Sequence, residues 1–158
     1  MLNQIPSHIS ALQKKITDAG FEIYFVGGCV RDILQDKAPK DWDMTTNATP
    51  QDLLKLFPDA FYDNQFGTVG IPLKELEETE HPQVVEVTTY RTEQGYTNRR
   101  HPEKVEWGQT IDEDLSRRDF TMNAIALKSQ GQIVDPFHGQ EDLTNKLIRA
   151  VGDPALRF

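Results

Sequence analysis

A pair of glycines directly after a short apolar run is the feature that most constrains how this chain can fold. The run covers residues 23–26, and Gly27 and Gly28 follow it at once. Such a run is typical of a buried strand, and the residues after the glycines can form a helix. The start of a helix offers free backbone N–H groups, and glycine lets a phosphate approach the backbone closely. The sequence therefore predicts a strand, a glycine turn and a helix that together can hold a phosphate.

Two aspartates follow shortly after this turn. Asp41 and Asp43 flank Trp42, and Met44 comes next. Residues two apart on a strand share a face, so both carboxylates are expected on one face and both apolar side chains on the other. Carboxylates together with substrate phosphates are the ligands that Mg²⁺ prefers. The pair therefore predicts a Mg²⁺–triphosphate site with Asp41 and Asp43 as the metal ligands. Paired glycines or an Asp-x-Asp alone are weak signals, but their order and closeness indicate nucleotidyl transfer.

A third carboxylate and a basic residue extend this prediction. Glu86 lies in an alternating segment over residues 84–91 that predicts a strand, and it points away from the apolar residues there. If that strand neighbours the aspartate strand, Glu86 supplies a third carboxylate; otherwise it is a surface residue of a half-buried sheet. Arg31, near the predicted helix start, either pairs with a phosphate oxygen or forms a surface salt bridge with neighbouring acids.

Arg117, Arg118 and Asp119 form a second charged cluster. Two adjacent guanidinium groups and a carboxylate are costly to bury without a charged ligand. Successive helical residues point about 100° apart, so only one arginine is expected to face the site, and the sequence does not decide which. A structural ion-pair network is the alternative interpretation of this cluster.

Six segments in chain order resemble a known family: residues 25–32, 41–43, 85–91, 114–124, 135–139 and 147–154. Together they resemble the catalytic head domain of class II tRNA nucleotidyltransferases (CCA-adding enzymes) and bacterial poly(A) polymerases, within the polymerase β-type nucleotidyltransferase superfamily. The resemblance covers roughly residues 21–158. Its most specific part is the block that contains the two adjacent arginines.

The resemblance implies Mg²⁺-dependent transfer of CMP and AMP, from CTP and ATP, to the 3′ end of tRNA. It implies that the arginine block contacts the triphosphate and that Asp119 contacts the ribose hydroxyl, while Asn123 is as suited to tying loops together. It also implies a flexible loop over residues 93–109 that helps to set nucleotide choice. The implied catalytic residues are Asp41, Asp43 and Glu86, and the implied nucleotide-binding residues are Gly27, Gly28, Arg31, Arg117, Arg118, Asp119 and Asn123.

Two alternative functions stay open at this point. One is a bacterial poly(A) polymerase or a CC- or A-adding relative, because the parts that discriminate these activities are subtle or lie beyond the matched segments. The other is a nucleotide- and metal-binding module without RNA extension activity. In the family that this chain resembles, the sequence pattern continues past the position of Phe158. It includes a Glu-Asp-x-x-Arg motif that selects the base and further domains that bind the RNA. We therefore expect a head domain over residues 1–139, and over 140–158 the end of the head and a truncated start of the neck.

Composition sets limits that agree with this interpretation. A chain of 158 residues suits one domain with its own core, and 37% hydrophobic with 27% charged residues is typical of a globular protein. The single cysteine excludes an intramolecular disulfide and a Cys-rich zinc site. No apolar N-terminal stretch indicates a signal peptide or a membrane span, so a cytoplasmic protein with no membrane partner is expected. The net charge of −8 predicts weak tRNA binding by this piece, because RNA affinity depends on Lys and Arg.

The pattern of apolar residues predicts an α+β fold. We expect a small mixed, mainly antiparallel sheet that carries the carboxylates, with helices packed on one face. Helices are expected over residues 7–18 (with Ser7 as the cap), 29–35, 50–57, 111–118 and 141–146. Strands are expected over 22–26, 41–45, 61–64, 69–73, 84–91, 124–128 and 133–135, and an exposed acidic loop over 76–82.

Overall fold

The computed structural model describes residues 2–62, 67–73, 83–91 and 107–158. The strands in these ranges are β1 (Ile23–Val26), β2 (Asp43–Thr46), β3 (Phe61–Tyr62), β4 (Thr68–Pro72), β5 (Val84–Thr89), β6 (Ala126–Leu127) and β7 (Ile133–Val134). The α-helices are α1 (Ser7–Asp18), α2 (Gly28–Leu34), α3 (Pro50–Leu56), α4 (Ile111–Ser116), α5 (Gly139–Thr144) and α6 (Pro154–Arg157), and short 3₁₀ helices span Leu2–Gln4 and Thr121–Asn123. None of the described helices is long and apolar enough to cross a membrane.

The seven strands form one sheet in the order β3-β4-β5-β2-β1-β6-β7. β2 and β5 run parallel, while the other neighbouring strands of the described sheet are antiparallel. The prediction of an α+β fold with a mixed, mainly antiparallel sheet is therefore confirmed. The parallel pair lies at the centre, and its register places Asp43 beside Glu86.

Apolar side chains cover the two faces of the sheet unequally. The larger core joins α1, α2 and α3 to one face, where Phe25, Trp42 and Met44 are buried, and the rings of Phe25 and Trp42 meet at 5.3 Å between centroids. A smaller cluster on the opposite face includes Tyr24 and Leu115, the latter from α4. The prediction that helices pack on one face therefore holds for α1, α2 and α3, whereas the short α4 lies on the other face.

The helix starts show where local sequence rules hold. Thr49 accepts a hydrogen bond from the backbone N–H of Asp52, and the Asp52 carboxylate accepts one from the Thr49 N–H, which is a complete capping box. The prediction that Ser7 caps α1 is wrong. The cap position is held by Pro6, whose carbonyl accepts from the N–H groups of Ile9 and Ser10, and no side-chain cap forms.

Several predicted boundaries shift. The predicted strand over 41–45 begins only at Asp43, so Asp41 lies in the bend before β2. The last helix, α6, does not follow from the apolar pattern; its start is capped by Asp153, whose carboxylate accepts from the Ala155 N–H at 2.9 Å. The acidic loop predicted over 76–82 lies outside the described residues. The loop over 93–109 does too, except for residues 107–109.

Candidate active site

The glycine turn lies where β1 ends and α2 begins. Gly27 has φ +74° and ψ −142°, a conformation that only glycine adopts readily, and α2 starts at Gly28. A Cβ built on Gly27 would lie 3.9 Å from Asp43 Oδ2 and 3.9 Å from Arg118 Nη1. The turn thus brings a bare stretch of backbone next to one carboxylate and one guanidinium group.

The aspartate pair emerges from the sheet beside this turn. Trp42 and Met44 are buried in the larger core, so the predicted alternation of apolar and acidic side chains holds although Asp41 precedes the strand. Asp41 is exposed, and Asp43 is half-buried. Burial raises the pKa of Asp43, and the negative charge of Asp41 raises it further, while the Arg118 guanidinium acts in the opposite direction. The Asp43 carboxylate is therefore less well stabilised as an anion than it would be in water.

Glu86 lies in the neighbouring strand, in register with Asp43. Paired residues of adjacent strands share a face, so Glu86 faces the same side as Asp43. The sequence makes Glu86 a third carboxylate only if its strand neighbours the aspartate strand. The two strands are neighbours in the sheet. Its part in catalysis stays a prediction.

The carboxylates fit one class of metal site. Among the described residues, no group of three or more His, Cys, Asp or Glu side chains is arranged to hold a metal ion. Two interacting carboxylates, Asp41 and Asp43, are nevertheless the donor set that suits Mg²⁺, which commonly binds one or two carboxylates and completes its coordination with waters and substrate phosphates. The chemistry of the pair therefore fits Mg²⁺ bound together with a triphosphate, and does not fit a closed all-protein metal site.

Asp114 organises the two adjacent arginines, and sequence reasoning did not single it out. Its side chain is 0% exposed. The Oδ1 atom accepts from Arg117 Nη2 at 3.3 Å and from the backbone N–H of Arg91 at 3.3 Å, and Oδ2 accepts from Arg118 Nη2 at 3.1 Å. Its spacing of three and four residues before the arginines is the signal that could have identified it.

The same geometry separates the roles of the two arginines. Arg117 Nε and Nη2 both point to Asp114, at 3.4 and 3.3 Å. Arg118 bridges Asp114 and the glycine turn, and its Nε is buried without a hydrogen-bond partner in the described structure. A buried, unsatisfied donor next to the turn is what an anionic ligand would satisfy. The structure therefore places Arg118 near Asp43 and the glycine turn.

A chain of side chains connects α2 to the 3₁₀ turn after α4. Arg31 Nη1 donates to Asn123 Oδ1 at 3.4 Å, and Asn123 Nδ2 donates to Asp119 Oδ1 at 3.3 Å. Arg31 also extends past Gly28, where an added Cβ would lie 3.5 Å from Arg31 Nη2. Asn123 thus ties two segments together, which is one of the two roles considered for it, and it holds Arg31 and Asp119 at the rim of the same region.

Cys29 lies next to the glycine turn and connects the two strands beside it. Its thiol donates to the Val26 carbonyl at 3.2 Å and lies 3.7 Å from the Asp43 carbonyl, so it joins the end of β1 to the start of β2. Burial raises the pKa of Cys29 to about 11. A thiol that stays protonated and packed in this way is a structural element and not a nucleophile.

Comparison with known proteins gives a consistent family assignment. The sequence profile of the family described as "Poly A polymerase head domain" matches residues 23–149, a range that includes every predicted site residue. A curated CCA-adding enzyme of Lactobacillus helveticus is 49% identical over 144 residues, which is 90% of this chain and 34% of that protein. This chain therefore spans about a third of the length of that relative.

Solved structures give the same result for the fold. The crystal structure of Bacillus stearothermophilus CCA-adding enzyme in complex with CTP is similar with a TM-score of 0.81 and 36% identity, over 96% of this chain and 34% of that one. The Thermotoga maritima CCA-adding enzyme complexed with tRNA is similar with a TM-score of 0.67 and 26% identity, over 90% of this chain and 32% of that one.

Proposed function

Because this chain belongs to the poly(A) polymerase head-domain family, we propose that it is the catalytic head of a Mg²⁺-dependent tRNA nucleotidyltransferase. The reaction is addition of CMP and AMP, from CTP and ATP, to the 3′ end of tRNA. One observation carries this proposal: Asp43, paired with Asp41 and in register with Glu86, lies against the Gly27 turn.

The aspartate pair and the glycine turn would bind the triphosphate together. When bound there, Mg²⁺ would supply charge neutralisation for the reacting phosphate and the leaving pyrophosphate. Asp41 and Asp43 would hold the ion, because two neighbouring carboxylates favour a divalent cation. The backbone N–H groups after Gly27 and the Arg118 guanidinium hold phosphate oxygens, which satisfies the buried Arg118 Nε.

Glu86 would act on the side of the attacking hydroxyl. It shares the face of Asp43 but lies one strand further from the glycine turn, in β5. In that position its carboxylate orients the 3′ hydroxyl of the acceptor and can accept its proton. We therefore assign Glu86 a catalytic part distinct from that of the two metal ligands.

Asp119 and Asn123 would contact the sugar of the incoming nucleotide. The Asp119 Oδ1 atom accepts from the Phe120 N–H at 2.6 Å and from Asn123 Nδ2 at 3.3 Å, so the carboxylate has a fixed orientation at the rim. A carboxylate fixed in this way can accept a hydrogen bond from a ribose hydroxyl, which a deoxyribonucleotide lacks at the 2′ position. Arg31, held by Asn123, would add a cation near the phosphates.

The relatives favour CCA addition over the alternatives. The compared curated protein and both compared structures are named as CCA-adding enzymes, and one of these structures was solved with CTP and the other with tRNA. The family description itself names poly(A) polymerase, which keeps AMP-only addition as the second candidate.

The proposal is tested by incorporation of labelled CTP and ATP into a tRNA that lacks its last three nucleotides, with Mg²⁺. Asp41→Ala is the test variant, and Asp18→Ala, which removes an exposed partner of Lys14 on α1, is the control. We expect metal-dependent extension that is lost in Asp41→Ala and retained in Asp18→Ala. Addition of C, C and A in sequence supports CCA addition, and a run of A supports a poly(A) polymerase.

A negative result is also informative. Mg²⁺-dependent binding of CTP by calorimetry without extension would indicate a nucleotide- and metal-binding module, which is the non-catalytic alternative. If the chain neither extends the RNA nor binds CTP, the proposal is wrong.

A further inference from the structure

A row of four paired residues crosses the sheet from the aspartate strand to its edge. Asp43 in β2 pairs with Glu86 in β5, Glu86 pairs with Gly70 in β4, and Gly70 pairs with Phe61 in β3. Paired residues share a face, so all four lie on the face that carries the carboxylates. Neighbouring strands are about 4.8 Å apart, which puts the backbone of Gly70 about 10 Å from that of Asp43.

The ring of Phe61 lies over Gly70 instead of pointing into solvent. A Cβ built on Gly70 would come within 2.5, 2.7 and 3.0 Å of three ring carbons of Phe61. Any side chain at position 70 would therefore displace the ring. Phe61 itself remains 43% exposed. Its ring therefore presents an apolar surface to solvent, although ring carbons lie against the strand at Gly70.

The geometry of the proposed reaction indicates from which side the acceptor hydroxyl approaches. In phosphoryl and nucleotidyl transfer, the attacking and leaving oxygens are roughly in line on opposite sides of the phosphorus. The residues assigned to the triphosphate, Gly27 and Arg118, lie on the β1 side of Asp43, whereas β5, β4 and β3 extend on its other side. The acceptor hydroxyl would then approach over β5 and β4, which is the side where Phe61 lies.

We propose that Phe61 is a stacking platform for an unpaired base at the 3′ end of the acceptor RNA. This inference rests on the proposed function, because the direction of approach follows from the assignment of the triphosphate site. An exposed aromatic ring held against a strand suits a nucleobase, since every base has a π-face and stacking tolerates differences in sequence. Such a contact would accommodate an acceptor whose terminal base changes during successive additions.

The test uses a short single-stranded RNA with 2-aminopurine at its 3′-terminal base, and a second RNA with the label in its middle. Fluorescence quenching reports stacking of the labelled base, and anisotropy reports binding. The titration is made at low salt and into the high micromolar range, because a chain of net charge −8 binds RNA weakly. The variants are Phe61→Ala, Phe61→Trp and Tyr62→Ala.

Tyr62→Ala is the matched control. Tyr62 is the next residue of β3, has the same 43% exposure, and lies on the opposite face because side chains alternate along a strand. Its hydroxyl also accepts a hydrogen bond from the Gly67 N–H at 3.1 Å, so Tyr62→Ala also removes a contact made by this strand.

We expect the wild-type protein to quench the terminal label and not the middle one. Phe61→Ala should abolish this quenching and weaken RNA binding about 10-fold, which corresponds to about 1.4 kcal/mol and falls within the range for base–aromatic stacking. Phe61→Trp should retain both the quenching and the binding, and Tyr62→Ala should behave as wild type. Mg²⁺-dependent CTP binding should not change in Phe61→Ala.

The inference is wrong if the wild-type protein binds the RNA without quenching the terminal label, if Phe61→Ala leaves the quenching intact, or if the wild-type protein does not bind the RNA. CTP binding separates these failures from failure of the proposed function. Retained CTP binding with no stacking overturns the platform alone, whereas loss of CTP binding and extension in the wild-type protein overturns the proposed function as well.

Discussion

Asp114 and Asp43 are two aspartates that lie on either side of one arginine, and their surroundings differ. Asp114 is fully buried and accepts hydrogen bonds from two guanidinium groups and one backbone N–H. Asp43 is half-buried, its pKa is raised, and its neighbours include the negative Asp41 as well as the positive Arg118. The first carboxylate is neutralised within the protein, and the second is not.

This difference separates a carboxylate that supports the fold from one suited to a ligand. A buried charge that is paired and hydrogen-bonded holds its partners in place, and its removal leaves those partners uncompensated. A carboxylate kept near another carboxylate costs stability unless a cation binds, and such perturbed groups are typical of functional sites. Arg118 connects the two regions, because Asp114 positions the guanidinium that faces Asp43.

The largest effect that would sharpen this comparison is expected for Asp43→Asn. The variant keeps the shape of the side chain but loses its charge, so we expect CMP incorporation to fall about a thousand-fold, which corresponds to about 4 kcal/mol of transition-state stabilisation. Metal-free thermal unfolding should show an equal or higher melting temperature, because the variant no longer buries a charge or repels Asp41, and these two gains together outweigh the lost attraction to Arg118. A clearly lower metal-free melting temperature would place Asp43 with Asp114 among the structural carboxylates.

Asp114→Asn should have the opposite signature. Loss of the carboxylate leaves two arginines at a buried position without their counter-charge, and breaking such a buried pair costs about 3–5 kcal/mol of unfolding free energy. Urea denaturation measures this cost. The control is Asp18→Asn, which removes an exposed ion pair at the same spacing of four residues and should cost less than about 1 kcal/mol. Equal losses for the two variants would contradict the structural part assigned to Asp114.

The sequence predicts the features of this contrast that depend on residues close together in the chain. It does not predict those that depend on distant residues. The strand, glycine turn and helix over residues 23–34 follow from local rules, because apolar runs and paired glycines act on neighbouring residues. The same rules predict the alternation around Asp43, and the α+β fold and the family resemblance are confirmed. The adjacency of Glu86 and Asp43 could be stated only as a condition, since strand order is a property of the whole sheet.

The missed features depend on tertiary contacts. Asp114 lies in the first turn of a short helix, where an acidic residue is ordinarily explained by the helix dipole. Its burial follows from the return of the chain at Arg91 and from packing of α4 on the second face of the sheet. The choice between Arg117 and Arg118 has the same origin: both are attached to Asp114, and only the position of the glycine turn decides which one reaches the aspartates.

Gly27→Ala is expected to have an intermediate effect that links the two regions. The positive φ of Gly27 makes any L-residue there unfavourable by about 1–3 kcal/mol, although a Cβ would have room. Gly20→Ala is the control, because Gly20 also has a positive φ and nothing within 4 Å of an added Cβ. We expect similar losses of stability in both variants and weaker Mg²⁺-dependent CTP binding only in Gly27→Ala. Unchanged CTP affinity in Gly27→Ala would remove the turn from the triphosphate site.

The smallest effect concerns the pH dependence of stability, and its sign follows from the raised pKa of Asp43. Between the unfolded-state value of 3.8 and the higher native value, the native state binds a proton that the unfolded state has released. The stability contributed by this group is therefore present below pH 3.8 and is lost as the pH rises through the native pKa. Asn cannot ionise, so Asp43→Asn should match wild type at the acidic end and exceed it at neutral pH.

Differential scanning fluorimetry of both proteins across this range, without metal, measures the difference between their melting temperatures. The difference should widen as the pH rises and then level off, and Mg²⁺ with CTP should reverse it by stabilising only the wild type. A difference of the opposite sign would mean that attraction to Arg118 outweighs burial and the repulsion from Asp41. Asp43 would then be neutralised by the protein in the same way as Asp114, and the contrast between the two aspartates would not hold.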